Sequence, residues 1–385
     1  MTAPSSTTAW TLRHPPEIRF GPGVIDALPA ILPPHCRRVL VVVGRSAKPH
    51  LLPRLRILLG GRDLAVVCGI QADPPLAEVE RVVDLGRAHP ADAVVAVGGG
   101  SVLDTAKLAA AVIPASGNAA DYYQGRRDFM GRGLFMVAAP TTAGSGAEIT
   151  QNAVLTDPVT GNKRAIRHPV LIPDVALVDP ALTLSAPPAL TAASGLDALT
   201  QAVESCTVPA ANAFTRPHGI AGAALLFRHL EDAWRNGTDL TARTHVAEGS
   251  LLAALSFSHT GLGAVHGLAH PLGALLNLPH GLVCAVLLPP ILAWNAPACE
   301  SAYAEIAAAC GCAGIPEWIG AVGGLARRLG MPANFAAAGL GPEHFPFVLR
   351  HCRSGSMNNN PRPMADADVL ALLRDLSRSP AGIGP

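Results

Sequence analysis

Asp197 and Gln201 lie four residues apart in G-L-D-A-L-T-Q-A-V-E, so on a helix they share one face. His266 and His280 lie in an apolar, glycine-rich stretch, H-G-L-A-H-P-L-G-A-L-L-N-L-P-H-G, where an imidazole needs a polar partner. A carboxylate, an amide oxygen and two imidazoles form a donor set suited to one divalent cation. Such a cation would polarise a carbonyl oxygen as a Lewis acid. Taken singly, His266, His270 and His280 are as well explained as core histidines with ordinary hydrogen bonds; the combination favours the metal.

Two loops have the character of a nucleotide site. Gly98, Gly99, Gly100 and Ser101 follow a predicted strand and open a predicted helix, where bare backbone amides accept a phosphate and glycines let it approach. The spacing is not G-x-G-x-x-G, and such a turn also serves structure alone. P-T-T-A-G-S-G-A-E (140–148) follows another strand and places the hydroxyls of Thr141, Thr142 and Ser145 at the same sheet edge, where ligands of parallel sheets bind. A third strand runs into Gly44-Arg45-Ser46, with a cation in place of the acid that bonds the ribose hydroxyls. That favours NADPH over NADH, unless Arg45 is a plain solvated charge.

The elements that must position these groups follow from hydrophobic pattern. R-V-L-V-V-V-G (38–44), L-A-V-V-C-G-I (64–70), A-V-V-A-V-G-G-G (93–100) and F-M-V-A-A-P-T (135–141) read as buried strands, with helical spacing over 76–88 and 102–113. Strands alternating with helices imply a parallel, Rossmann-like sheet. From about residue 190 the strand-like runs nearly vanish, and helical spacing covers 189–206, 218–235, 241–258, 262–276, 282–296, 301–310, 316–329 and 366–376. The expected fold is α/β plus all-α: a dinucleotide-binding domain over 1–185 and a helical metal-binding domain over 186–385, divided near P-A-L-T-L-S-A-P-P (180–188).

The chain of 385 residues is 49% hydrophobic and 15% charged, enough for a large core, and its net charge of +1 with no basic run argues against a nucleic-acid partner. Apolar runs are broken by Gly, Pro or His before the ~18 residues of a span, so no membrane association is expected. M-T-A-P-S-S-T-T-A-W has neither the charged nor the apolar region of a signal peptide. The eight cysteines form no C-x-x-C pair, with Cys310 and Cys312 making only a C-x-C, and read as reduced thiols of a cytoplasmic protein.

Together these segments resemble the iron-containing (group III) alcohol dehydrogenase family. G-G-G-S-V-L-D-T-A-K (98–107) is similar to its G-G-G-S-x-x-D-x-A-K, P-T-T-A-G-S-G-A-E to its P-T-T-A-G-T-G-S-E, and G-L-D-A-L-T-Q-A-V-E to its G-x-D-A-x-x-H-x-x-E. G-L-G-A-V-H-G-L-A-H-P-L-G-A through P-H-G follows the family's metal segment, including the 14-residue step from His266 to His280. The resemblance spans roughly residues 15–370. It implies a nucleotide domain followed by a helical domain, at least a homodimer, and metal ligands at Asp197, position 201, His266 and His280, with His270 beside the metal. It also implies that Gly99, Gly100 and Ser101 hold the pyrophosphate and that Asp104, Thr141, Thr142 and Ser145 lie near the nucleotide. Lys107 and Lys163 match recurring family lysines. The family usually carries His at position 201. Gln201 is then a weaker fourth ligand, or leaves a three-ligand site completed by water, or leaves the metal weakly held; Fe2+ and Zn2+ both stay open. The nicotinamide would supply hydride, and the proton for the new alcohol would pass through water or His270.

H-C-R-S-G-S-M-N-N-N-P-R (351–362) sets Arg353, Ser354 and Ser356 beside a flexible glycine, which suits a phosphate, phosphonate or carboxylate, or an ordinary polar loop. Y-Y-Q-G-R-R (122–127) is a second polar run. R-S-G-S-M is similar to the branch that reduces phosphonoacetaldehyde to 2-hydroxyethylphosphonate in phosphonate natural-product pathways, which makes that aldehyde the lead substrate. The alternatives are a reductase of an uncharged aldehyde or of a maleylacetate-type carboxylate, whose branch lacks H-G-L-A-H-P-L-G, a lyase on the same scaffold resembling 3-dehydroquinate synthase, and a cofactor-binding protein without turnover.

Overall fold

The computed structural model describes residues 9–45, 48–156 and 163–378. The first half runs β1 (Glu17–Phe20), α1 (Leu28–Ile31), β2 (Arg38–Gly44), α2 (Lys48–Leu58), β3 (Asp63–Ile70), α3 (Leu76–Ala88), β4 (Ala93–Gly98), α4 (Gly100–Val112), α5 (Ala119–Tyr123), β5 (Phe135–Pro140), β6 (Asn152–Thr156), β7 (Lys163–Arg167) and β8 (Val175–Val178). Helices α6 (Pro188–Thr207), α7 (Thr215–Arg235), α8 (Leu240–Thr260), α9 (Ala264–Leu276), α10 (His280–Asn295), α11 (Glu300–Ala309), α12 (Ile315–Arg328), α13 (Phe345–His351), α14 (Gly355–Asn358) and α15 (Asp366–Ser377) follow.

Six strands form a parallel sheet in the order β1-β8-β5-β4-β2-β3. Its middle strands are buried from Val39 to Gly44 and throughout Ala93–Gly98, the unbroken apolar pattern of strands covered on both faces. Alternate residues serve alternate faces. Leu40, Val42, Val94 and Ala96 pack with Val82, Val83 and Leu103 of α3 and α4, while Val39, Val41, Val43 and Val95 pack with Leu28 of α1 and Leu55 of α2. The strand expected over 93–100 stops at Gly98, because Gly100 already begins α4.

In the second half α7, α8 and α10 pack around α6. Glycine sets the α7–α8 spacing: a Cβ at Gly222 would stand 2.8 Å from the Gly249 carbonyl oxygen. The helix containing α10 corrects one expectation, since Pro289 and Pro290 do not interrupt it. His280–Ala298 is long and apolar enough to cross a membrane by length and composition. Val283 through Leu288, Ile291 and Leu292 are buried, however, in the helical core with Leu196, Leu199 and Trp318.

Candidate metal centre

α6 carries Asp197, Gln201 and Glu204 along one stripe, all buried. α9 brings His266 and α10 brings His280 to that stripe. Close packing makes this possible. A Cβ at Gly263, the residue before α9, would stand 2.9 Å from Glu204 Oε1, and one at Gly267 would stand 2.9 Å from Met357 Cβ. The first turn of α9 is tied down from both sides: Val265 N–H donates to Glu204 Oε1 at 2.8 Å, and Ala264 N–H donates to Asn360 Oδ1 at 3.1 Å.

His266 is held at both ring nitrogens. Nδ1 lies 2.6 Å from Glu204 Oε2 and Nε2 lies 3.2 Å from Asp197 Oδ1. His280 Nε2 lies 3.8 Å from the same Asp197 oxygen. Glu204 thus engages the outer nitrogen of His266, an arrangement that fixes the tautomer and orientation of a metal-ligating imidazole. Cys284, one turn beyond His280, puts Sγ 3.6 Å from His280 Nε2. Ligand atoms of Asp197, His266, His280 and Cys284 all lie within 4.8 Å of one another. Gln201 Oε1 is buried with no hydrogen-bond partner, a polar demand that a cation would meet. The residues therefore fit a divalent metal. His270 lies beside this group, its ring stacked on His280 with centroids 5.1 Å apart.

The electrostatics of the protein alone are those of a negative pocket. Burial opposes ionisation of Asp197, yet hydrogen bonding to His266 and the nearby imidazoles hold its carboxyl below the usual range. Burial likewise opposes charge on His266, but Glu204 and Asp197 push it up to about 10. Burial and the same two carboxylates push the Cys284 thiol well above its ordinary value. A divalent cation inverts this logic, favouring neutral imidazole and thiolate.

The two loops expected to hold the nucleotide meet side by side. Gly98 of β4 pairs with Pro140 of β5, and Thr141 N–H donates to the Gly98 carbonyl at 3.0 Å. A Cβ at Gly99 would touch Thr142 Oγ1 at 3.6 Å, and one at Gly100 would stand 2.7 Å from Ser145 Oγ. Gly99 is the N-cap of α4 and no side chain caps that end, which leaves it suited to an anion. Ser101 Oγ accepts from Asp73 N–H at 3.3 Å. The second loop also rests on α6: a Cβ at Gly144 would stand 2.7 Å from Ser194 Cβ, one turn before Asp197.

Other expected site residues have different occupations. Asp104 is buried, accepting from Val154 N–H at 3.0 Å and pairing with Lys107 at 3.0 Å, so it ties α4 to β6. Lys107 Nζ donates to the Ala147 carbonyl at 2.8 Å and to Thr150 Oγ1 at 3.2 Å, and so props the second loop from behind. Arg45 is exposed in the turn after β2. Ser46 and the side chain of Lys163 lie outside the described residues. Arg353, expected as an anion ligand, pairs its guanidinium with the Asp366 carboxylate and donates to the Met364 carbonyl at 2.7 Å. Ser354 caps α14, and Ser356 lies within that short helix. Arg126 and Arg127 both pair with Asp121, on the exposed surface. Sequence reasoning missed Cys284 and Glu204, although the i, i+4 step from His280 and the i, i+7 step from Asp197 were both available.

A family model for "Iron-containing alcohol dehydrogenase" matches residues 15–180, and one for the "Fe-containing alcohol dehydrogenase family, C-terminal" matches 191–377. The chain is 39% identical over 300 residues to long-chain-alcohol dehydrogenase 1 of Geobacillus thermodenitrificans, covering 76% of this chain and 75% of that one. It is 33% identical over 325 residues to 1,3-propanediol dehydrogenase of Klebsiella pneumoniae, covering 82% and 83%. Among solved structures, sulfoacetaldehyde reductase from Bifidobacterium kashiwanohense in complex with NAD+ superposes with a TM-score of 0.92 at 27% identity, over 97% of this chain and 100% of that one. On these matches, which span both halves of the fold, the chain belongs to the iron-containing alcohol dehydrogenase family and is an oxidoreductase.

Proposed function

We propose that the protein reduces a small aldehyde to a primary alcohol with NAD(P)H, at a metal centre built by Asp197, His266 and His280. The observation that carries this reading is their convergence on one face of α6, one turn beyond the point where the Thr141–Glu148 loop rests. When bound, the cation polarises the carbonyl and the nicotinamide supplies hydride. The chain's own groups supply orientation and proton traffic. Glu204 holds His266 with Nε2 inward. His270, exposed and stacked on His280, is placed to pass a proton between solvent and the new alkoxide. The uncapped end of α4 receives the pyrophosphate between Gly99, Gly100 and the Thr142 and Ser145 side chains. Arg45, exposed after β2 where an acid would repel a 2′-phosphate, supports NADPH.

Phosphonoacetaldehyde is the finer proposal for substrate. The likeness to a sulfoacetaldehyde reductase supports a two-carbon aldehyde bearing a tetrahedral anion. The engagement of Arg353 by Asp366 favours a second reading, an uncharged short-chain aldehyde. Initial rates of NADPH and NADH oxidation with phosphonoacetaldehyde and with propanal, on zinc-loaded and iron-loaded protein, separate the two. A strong preference for the phosphonate supports an anion pocket; equal or faster propanal turnover removes it. No oxidation with either aldehyde overturns the reductase reading.

A further inference from the structure

We propose that Cys284 is a metal ligand, supplying as a thiolate the donor that position 201 does not supply as an imidazole. The centre is then Asp197, His266, His280 and Cys284, and it takes zinc in preference to ferrous iron. This rests on the metal-dependent reading above.

Three of the six distances between ligand atoms are close to the edges of a zinc tetrahedron, and all six are within 4.8 Å. Asp197 Oδ1 lies 3.2 Å from His266 Nε2 and 3.8 Å from His280 Nε2, and Cys284 Sγ lies 3.6 Å from His280 Nε2. Four ligands about 2.0–2.3 Å from one zinc ion define edges of roughly 3.3–3.8 Å. The i, i+4 step from His280 to Cys284 presents both on one face of α10, so the two ligands come from one rigid element. Gln201, buried at 4% exposure on the same face of α6 as Asp197, leaves a second donor oxygen there without a hydrogen-bond partner. Of the two donors left near that corner, an amide oxygen is hard and weak, whereas a thiolate binds zinc strongly and shifts selection away from oxygen-preferring metals. Binding transfers the Cys284 thiol proton to solvent as the S–metal bond forms, so the thiolate need not pre-exist.

The test uses full-length protein loaded with one equivalent of Zn2+ or Co2+. Zinc-edge X-ray absorption should show one sulfur at about 2.3 Å, and the cobalt form a thiolate-to-metal charge-transfer band in the near ultraviolet. Cys284→Ser should lose both signals and release one proton fewer on binding. Its zinc affinity should fall by at least the about 10–100-fold that follows loss of an outer partner. Gln201→His in the Cys284→Ser background should restore affinity with nitrogen and oxygen scatterers only. Stoichiometric metal in the wild-type protein with no sulfur shell and no charge-transfer band overturns the assignment while leaving a metal-dependent reductase intact. Failure of the wild-type protein to retain any metal overturns both. Because the decisive signals are read on the wild-type protein, a poorly folding variant does not obscure the result.

Discussion

Glu204 holds two things at once, the His266 ring through Oε2 and the first turn of α9 through Oε1. Glu204→Gln keeps the shape and removes the charge that favours an oriented, basic imidazole. We expect zinc affinity to fall about 10–100-fold, with helix content unchanged, in a chelator competition. Glu148 poses a different residue-scale question. Burial raises its carboxyl from 4.5 to about 7, against the pull of Lys107 and with the help of Asp104. Between about 4.5 and 7 the folded state therefore binds more protons than the unfolded chain, so stability is fully present below this window and declines as pH rises through it. Glu148→Gln should flatten that decline, measured as urea midpoints across the same range. An unchanged slope would mean that Glu148 does not titrate there.

At the scale of elements, the glycines of the two loops act by absence. Gly100→Ala would place a Cβ 2.7 Å from Ser145 Oγ and push the second loop off the helix start. The expected result is a rise of about tenfold in KM for the nucleotide, ~1.4 kcal/mol, with zinc content unaltered. Much of this scale was legible in the sequence. The strand at 38–44 and the helix at 76–88 fall on the residues expected, since long apolar runs and clear 3.6-residue spacing leave little choice. Elements without such a signal were not readable. E-I-R-F of β1 is four half-buried residues, V-A-L-V of β8 is as short, and Pro53 disguises α2. β6 and β7 pair antiparallel, and the alternation of β6 runs over only five residues, too few to stand out. For the site, Asp197, His266 and His280 were readable because carboxylate and imidazole are conspicuous in apolar sequence. Cys284 was not, since a cysteine weighed only against other cysteines looks like a core thiol. Asp104 was expected near the nucleotide from its motif, but sequence shows which residues flank a loop, not which side of the helix they leave from, and its carboxylate is taken by Val154 and Lys107.

At the scale of the molecule, the candidate metal donors come from α6, α9 and α10, whereas the glycine turn proposed for the phosphates lies between β4 and α4 of the sheet domain. The two ligands should therefore stabilise different parts of the protein. Metal at a hundredfold excess over its Kd should add about 2.7 kcal/mol, seen by calorimetry as a shift of the helical transition, while NADPH should move the sheet transition. A single transition moved equally by either ligand would show that the halves unfold as one unit.

The pairing of β1 with β8 joins Glu17 to Val175 and Phe20 to Val178. During synthesis from the ribosome, β1 emerges early and has no strand to lie beside until nearly the whole sheet has been made. Its exposed amides and carbonyls must wait, solvated, through the birth of every intervening strand. The first strand of the chain is thus among the last of the sheet to find its place. In refolding, its amides should be the latest of the sheet to resist deuterium, because a contact so distant in sequence carries a loop-closure cost that is offset only when the rest of the sheet is present.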